Sequence, residues 1–170
     1  GAKGQDHTAI GYQAGYIVSG AGNTAVGNGA GQRVDGDYNV GLGVAAGLFV
    51  TGNRNVAVGQ IAGTNVIGSN NAASGVGAGQ QLTGSDNVAI GQNAGAGVLV
   101  PLVVNNTVAV GNRALATVDG GVALGSGSTA GTEVISMRRR SPTFTYTSPL
   151  SCGGSGDFGS GGAAPSLLPM

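Results

Sequence analysis

The chain has 170 residues, 36 of them glycine, with 41% hydrophobic, 8% charged and 4% aromatic residues and a formal net charge of zero. An ordinary globular domain carries about 25% charged residues and about 7% glycine, so that class is excluded. Collagen is excluded because glycine does not recur every third residue, ordinary disorder because the chain is apolar and uncharged, and nucleic-acid binding because there is no basic surface to neutralise phosphate.

The first element is a short coil in which Thr8-Ala9-Ile10 leads to Gly11. This marker glycine, placed after an Ala-Val or Ala-Ile pair or its equivalent, returns at Gly27, Gly43, Gly59, Gly75 and Gly91, five consecutive steps of sixteen residues. Two imperfect steps follow, of twenty residues to Gly111 and fourteen to Gly125, which makes eight coils. Other columns hold the same register. Seven residues before the marker stands a second glycine (Gly4, Gly20, Gly36, Gly52, Gly68, Gly84), and four before it stands Asn23, Asn39, Asn55, Asn71 or Asn87, with His7 in that place in the first coil. Ala and Gly follow the marker by three and four residues, and an aliphatic residue follows by seven (Val18, Val34, Val50, Val66, Leu82). A fixed period of this kind is the signature of a repeat architecture.

Each coil predicts two short strands joined by glycine corners. The residues one and three before the marker share one face, as in Val56 and Val58 or Val88 and Ile90, by the period of two along a strand. The Ala between them points the other way, and a small residue there predicts another backbone close by on the outside. The aliphatic seven after the marker belongs to the strand on the return side. Glycine supplies the positive φ of tight corners, and the Asn column is placed to stack coil on coil as a hydrogen-bonded ladder. Eight coils at roughly 4.8 Å give a rod of about 40 Å. So thin a coil holds a poor core for one chain, which predicts three rolls side by side with their Ala and Gly faces meeting along a threefold axis.

The recurring motif is quoted best by Asn23-Thr-Ala-Val-Gly27-Asn-Gly-Ala-Gly31, Asn55-Val-Ala-Val-Gly59-Gln-Ile-Ala-Gly63 and Asn87-Val-Ala-Ile-Gly91-Gln-Asn-Ala-Gly95, with Gly121-Val-Ala-Leu-Gly125-Ser-Gly-Ser128 the nearest in form. It resembles the head repeat of YadA-like trimeric autotransporter adhesins, over residues 4–130, and similar repeats occur in bacteriophage tail fibres. The resemblance implies an all-β, left-handed parallel β-roll in an intertwined homotrimer. The expected division is a roll of 14–20-residue coils over 1–130 and an irregular, Gly-, Ser- and Pro-rich C-terminal extension over 131–170. No heptad run and no series of barrel strands follows Gly131, which favours a virion tail or fibre protein involved in host attachment over the head of a bacterial surface adhesin that binds matrix or glycans. The partners expected are two further copies, other fibre or tail proteins, and a host-surface receptor of glycan or outer-membrane type.

Several features imitate chemistry. Gly41-Leu-Gly43-Val-Ala-Ala-Gly47 lacks the strand, long helix and distal acid of a dinucleotide site. The seven acidic residues fall out of register, unlike those of calcium-binding solenoids. With one histidine and no Ser-His-Asp set, nucleophilic catalysis has no base, so no enzyme activity, catalytic residue, metal or cofactor is expected. His7 is read as filling the Asn column, with a metal or anion site near a threefold axis as the alternative. Asp35 and Asp37 read as solvated corner residues; a carboxylate pair for polysaccharide cleavage is the weakest functional alternative. Asn105-Asn106-Thr107 is a sequon by coincidence.

Val98-Leu-Val-Pro-Leu-Val-Val104, in the long step, is expected against a neighbouring protomer or another virion component. No run of about 18 apolar residues is present to span a membrane as a helix, no segment reads as a signal peptide, and Cys152 alone makes no internal disulfide. Toward the end, Arg138, Arg139 and Arg140 are either a solvated junction, a clamp for carboxylates of adjacent chains or a site for acidic sugars. Thr143-Phe-Thr-Tyr-Thr147, with Phe144 and Tyr146 on one face, reads as a strand capping the last coil. These five are the candidate interchain or receptor contacts.

Overall fold

The computed structural model describes residues 6–97 and 100–131. It is all-β, a solenoid of about eight turns. Three-residue strands β1 (Thr8–Ile10), β3 (Thr24–Val26), β5 (Val40–Leu42), β7 (Val56–Val58), β9 (Ala72–Ser74), β11 (Val88–Ile90), β13 (Val108–Val110) and β15 (Val122–Leu124) stack in that order as one parallel eight-stranded sheet. Two-residue strands β2 (Val18–Ser19), β4 (Val34–Asp35), β6 (Val50–Thr51), β8 (Val66–Ile67), β10 (Leu82–Thr83) and β12 (Leu102–Val103) form the parallel sheet on the return side. A last pair, β14 (Leu115–Ala116) and β16 (Thr129–Ala130), closes the described stack.

Register follows the sixteen-residue step, as in Ala57↔Ala73 and Val58↔Ser74. The long step is absorbed without loss of register, since β11 still meets β13 with Ala89↔Ala109 and β10 meets β12 with Leu82↔Leu102. Loops take part in the stacking as well. Ala45 N–H donates to the Asn28 carbonyl and Ile61 N–H to Val44, each at 2.8 Å. Backbone donors that a loop would leave to water are thus satisfied by the next coil.

The two strand faces are the reverse of the expectation. The central Ala points inward: Ala25, Ala57, Ala73, Ala89, Ala109 and Ala123 are buried, while Val56, Val58, Ile90, Val122 and Leu124 are exposed. The close backbone implied by a small residue is the chain's own. Ala57 packs into a column with Ala46, Ala62 and Ala73, and a Cβ added to Gly63 would lie 2.7 Å from the Ala57 Cβ. Alternation along a strand sets which residues share a face but not which face is inside. The Ala and Gly columns therefore cannot meet at an intermolecular axis.

Two clusters fill the interior. Ala30, Ala46, Ala62, Ala78, Ala94 and Ala114, all fully buried, oppose the strand alanines, and Val18, Val34, Val50, Val66, Leu82 and Val104 form the second cluster. The seam between them encloses only about 20 Å³, room for no more than about one water. The core is continuous along the rod and one or two side chains deep, so each coil's burial depends on its neighbours.

The marker column is glycine for two reasons at once. Gly59 has φ +127°, and a Cβ there would lie 2.7 Å from the carbonyl oxygen of Gly75 in the next coil. The same pairing recurs at Gly11, Gly27, Gly43, Gly75 and Gly91, while Gly111 faces Gly125. Gly125 keeps the positive φ, and no atom of the described residues lies within 4 Å of a Cβ built there.

Candidate functional site: the outward faces of the roll

The residues singled out by the repeat lie inside. Asn23, Asn39, Asn55, Asn71 and Asn87 are all buried, and each rung closes on the next. The Asn23 Oδ1 accepts from Asn39 N–H (2.8 Å), and Asn39 Oδ1 accepts from Asn55 N–H (2.9 Å). In Asn23, Asn39, Asn55 and Asn71 the Nδ2 caps the carbonyl of a corner glycine in the next coil, such as Asn55 to Gly68 at 2.8 Å. Asn87 caps the Val104 carbonyl instead, at 2.9 Å. His7 occupies the first rung, its Nδ1 accepting from Asn23 N–H at 3.3 Å while Nε2 is buried without a partner among the described residues. Thr107 ends the ladder, donating its hydroxyl to Asn87 Oδ1 at 2.7 Å. Asn and marker Gly columns thus hold the scaffold, and the side chains available for contact stand on the outward faces.

Three such surfaces differ in chemistry. Outside the eight-stranded sheet run two ranks of side chains, the first from Val40, Val56, Val88, Val108 and Val122 and the second from Ile10, Val26, Leu42, Val58, Ile90, Val110 and Leu124. Thr8, Thr24, Ala72 and Ser74 complete the ranks, and no charged residue enters them. Seven stacking steps make this face roughly 34 Å long. Within one coil the two outward residues are separated by one small residue, alanine or Gly41, so the ranks run side by side as a mostly apolar strip broken by Thr8, Thr24 and Ser74.

Outside the two-residue sheet the column is mostly polar: Ser19, Asp35, Thr51, Ile67, Thr83 and Val103. Ser19 Oγ donates to Asp35 at 3.1 Å. At the adjoining corner a second side-chain ladder caps backbone donors. Asp37 accepts from Ala21 N–H (2.8 Å), Asn53 from Asp37 N–H (2.7 Å) and Asp119 from Asn105 N–H (2.8 Å). Asp35 and Asp37 are therefore engaged with the preceding coil. Asn105 of the sequon bonds Ser85 N–H at 3.0 Å, and its Thr107 is buried.

The third surface lies at the long step, from Val100 onward. Of the apolar run, Val104 enters the core and Leu102 packs against it, whereas Val100 and Val103 are about 70% exposed. Pro101 stands between two open grooves. One, of about 540 Å³, is lined by Phe49, Thr51, Asn65, Ile67, Gln81 and Thr83; the other, of about 420 Å³, by Ala96, Gly97, Leu102, Leu115 and Thr117. The columns that line the first groove vary from coil to coil, so the repeat hides them; a lone aromatic, Phe49, in the column of Ile17, Arg33, Asn65 and Gln81 was the available signal.

Among the described residues no three His, Cys, Asp or Glu side chains gather as a metal site, and no helix is long and apolar enough to cross a membrane. Arg138, Arg139, Arg140, Phe144 and Tyr146 lie outside the described residues, as does the extension to which they belong.

Interior ladders and patterned outer faces define a class of protein: a parallel β-solenoid whose cross-section is apolar outside one sheet and polar outside the other. Comparison with family models, curated proteins and solved structures finds no match for the chain.

Proposed function

We propose that this chain is a structural, non-enzymatic segment of a homotrimeric virion tail or fibre protein that contributes to host attachment. In this reading the roll is left-handed, like the head repeats it resembles, and its three copies pack through the apolar strip outside the eight-stranded sheet. That strip is the observation that carries the reading. It is uncharged and on the order of 300 Å² in plan, the size of the largest apolar patch of an ordinary monomer, which is often functional. Closed cyclic symmetry would remove it from water on every copy while leaving the polar sheet outside. The Asn-x-Ala-(Val/Ile)-Gly motif equally supports a second reading, the head of a bacterial trimeric adhesin binding matrix or glycans.

Sedimentation equilibrium of the purified chain tests the assembly. A mass near three times 16.2 kDa is expected, and a stable soluble monomer would overturn the reading. Adsorption of the labelled protein to bacterial cells, against adsorption to matrix-coated surfaces, then separates fibre from adhesin.

A further inference from the structure

We infer that the groove between Phe49 and Pro101 is a binding site for a neutral oligosaccharide; the inference rests on the attachment reading above and names the ligand class of that role. The groove spans three coil steps, roughly 14 Å, on the outward side of the two-residue sheet. This side is turned away from the apolar strip, so it stays open when that strip is covered.

The lining sets the chemistry. Among the described residues no ionisable group lines the groove, which matches an uncharged ligand. Phe49 supplies a ring at one end. Arg33 stacks against it, 5.3 Å from the ring centroid, which fixes the ring while the groove reaches its remaining surface. Asn65 and Gln81 supply amides and Thr51 and Thr83 hydroxyls, groups that both donate and accept hydrogen bonds. Ile67 forms an apolar floor between them, and Pro101 closes the far end. A concave site with an apolar base and a few placed polar groups is the usual form of a small-ligand site, and this pairing of ring face with amides and hydroxyls complements the C–H faces and hydroxyl rims of pyranoses.

A peptide strand fits less well. Strand addition needs free backbone groups, but those of this surface are taken by the stack: Phe49 N–H donates to Gln32, Asn65 to Leu48 and Gln81 to Thr64, at 2.8–2.9 Å. Recognition is left to side chains.

The test presents the 170-residue chain to an array of neutral and acidic microbial glycans and of uncharged peptides, then titrates the best-bound member by calorimetry. Phe49 sits at φ +59°, a conformation that Asn tolerates, so Phe49→Asn removes the ring without disturbing the coil. Binding to a neutral glycan is expected, weakened about tenfold or more by Phe49→Asn and abolished by Ile67→Glu, with Tyr12→Ala as an unaffected control on another corner. Binding to acidic glycans or peptides alone, to nothing, or to a neutral glycan with no loss in either groove variant would overturn the site. The native mass and cell adsorption are measured on the same samples. A cell-binding trimer without groove-dependent glycan binding sinks this inference and leaves the fibre reading standing; a monomer that binds glycan through Phe49 does the converse.

Discussion

The side chain of Asn55 holds Asn71 by two bonds, its Oδ1 accepting from both the backbone N–H and the Nδ2 of Asn71 at 3.0 Å. Its own Nδ2 reaches Asn39 Oδ1 at 3.1 Å and the Gly68 carbonyl at 2.8 Å. One side chain thus joins three consecutive coils, in a place that excludes water.

Asn55→Leu is expected to destabilise the roll by about 3 kcal/mol or more, since it takes the acceptor from the backbone N–H and an Nδ2 hydrogen of Asn71 and uncaps the Gly68 carbonyl, each costing about 1–3 kcal/mol. Asn55→Thr should be milder, because Thr107 already occupies the equivalent rung and donates to Asn87 at 2.7 Å. Urea unfolding followed by circular dichroism would rank the two. Equal losses would mean that the ladder contributes packing and little hydrogen bonding.

Gly59 and Gly29 make a matched pair. Both have positive φ, but a Cβ on Gly59 would lie 2.7 Å from a backbone oxygen in the next coil, whereas one on Gly29, at φ +64°, meets nothing within 4 Å. Gly59→Ala should cost several kcal/mol, about the scale of a core defect, because stacked backbone must separate. Gly29→Asn should lie within about 0.5 kcal/mol of the parent, as Asn accepts the left-handed region and its Cβ meets open space. Thermal denaturation of both variants checks the contrast.

Which parts of this were legible in the sequence follows from what each column must satisfy. Marker Gly and ladder Asn positions answer to constraints that recur in every coil, so their identity repeats and their strands and register could be read directly. The left-handed corners could not. Ile17, Arg33, Phe49, Asn65 and Gln81 share one such position with φ between 52° and 59°, yet of these only Asn65 has a side chain that favours it, because inter-coil backbone bonds impose the conformation on the rest. The inward face was equally hidden. Ala57 and Val58 alternate in either arrangement, and only the 2.7 Å approach of the Gly63 corner decides that the methyl group, not the isopropyl group, lies inside. The groove was invisible because Pro101 comes to stand beside Gln81 only through the twenty-residue step, which pairs Leu82 with Leu102.

The inward face also limits side-chain size. Ala57 is 4% exposed and packs with Ala62 and Gly63 beside a seam of only about 20 Å³. Ala57→Leu should destabilise by about 3 kcal/mol or more, above the usual range for overpacking, since backbone surrounds the site and cannot move aside. Val58→Thr, one residue on, should leave the unfolding of an isolated roll within about 0.5 kcal/mol. Guanidinium titrations of the two would discriminate. Tolerance of Ala57→Leu would mean that the coil can open by a side-chain layer.

Val58 and Ile90 are the residues on which assembly and folding should separate. Both are exposed, two coils apart in the same rank of the apolar strip, and neither contributes to the buried columns. Val58→Asp with Ile90→Asp places two carboxylates on each copy where the proposed trimer would bring three strips together. Burying these charges unpaired, or bringing like charges close, costs far more than leaving them in water. The double variant should therefore sediment as a monomer near 16.2 kDa while its β-sheet circular dichroism persists, since the Asn and Ala ladders are intramolecular. If the double variant still sedimented at three times the chain mass, association would have to run through another surface. If it unfolded outright, the single roll would be too thin to stand alone, and folding and assembly would be one event. Salt dependence separates repulsion from desolvation: at 1 M salt the Debye length falls to about 3 Å, so reassociation there would assign the loss to charge repulsion between copies.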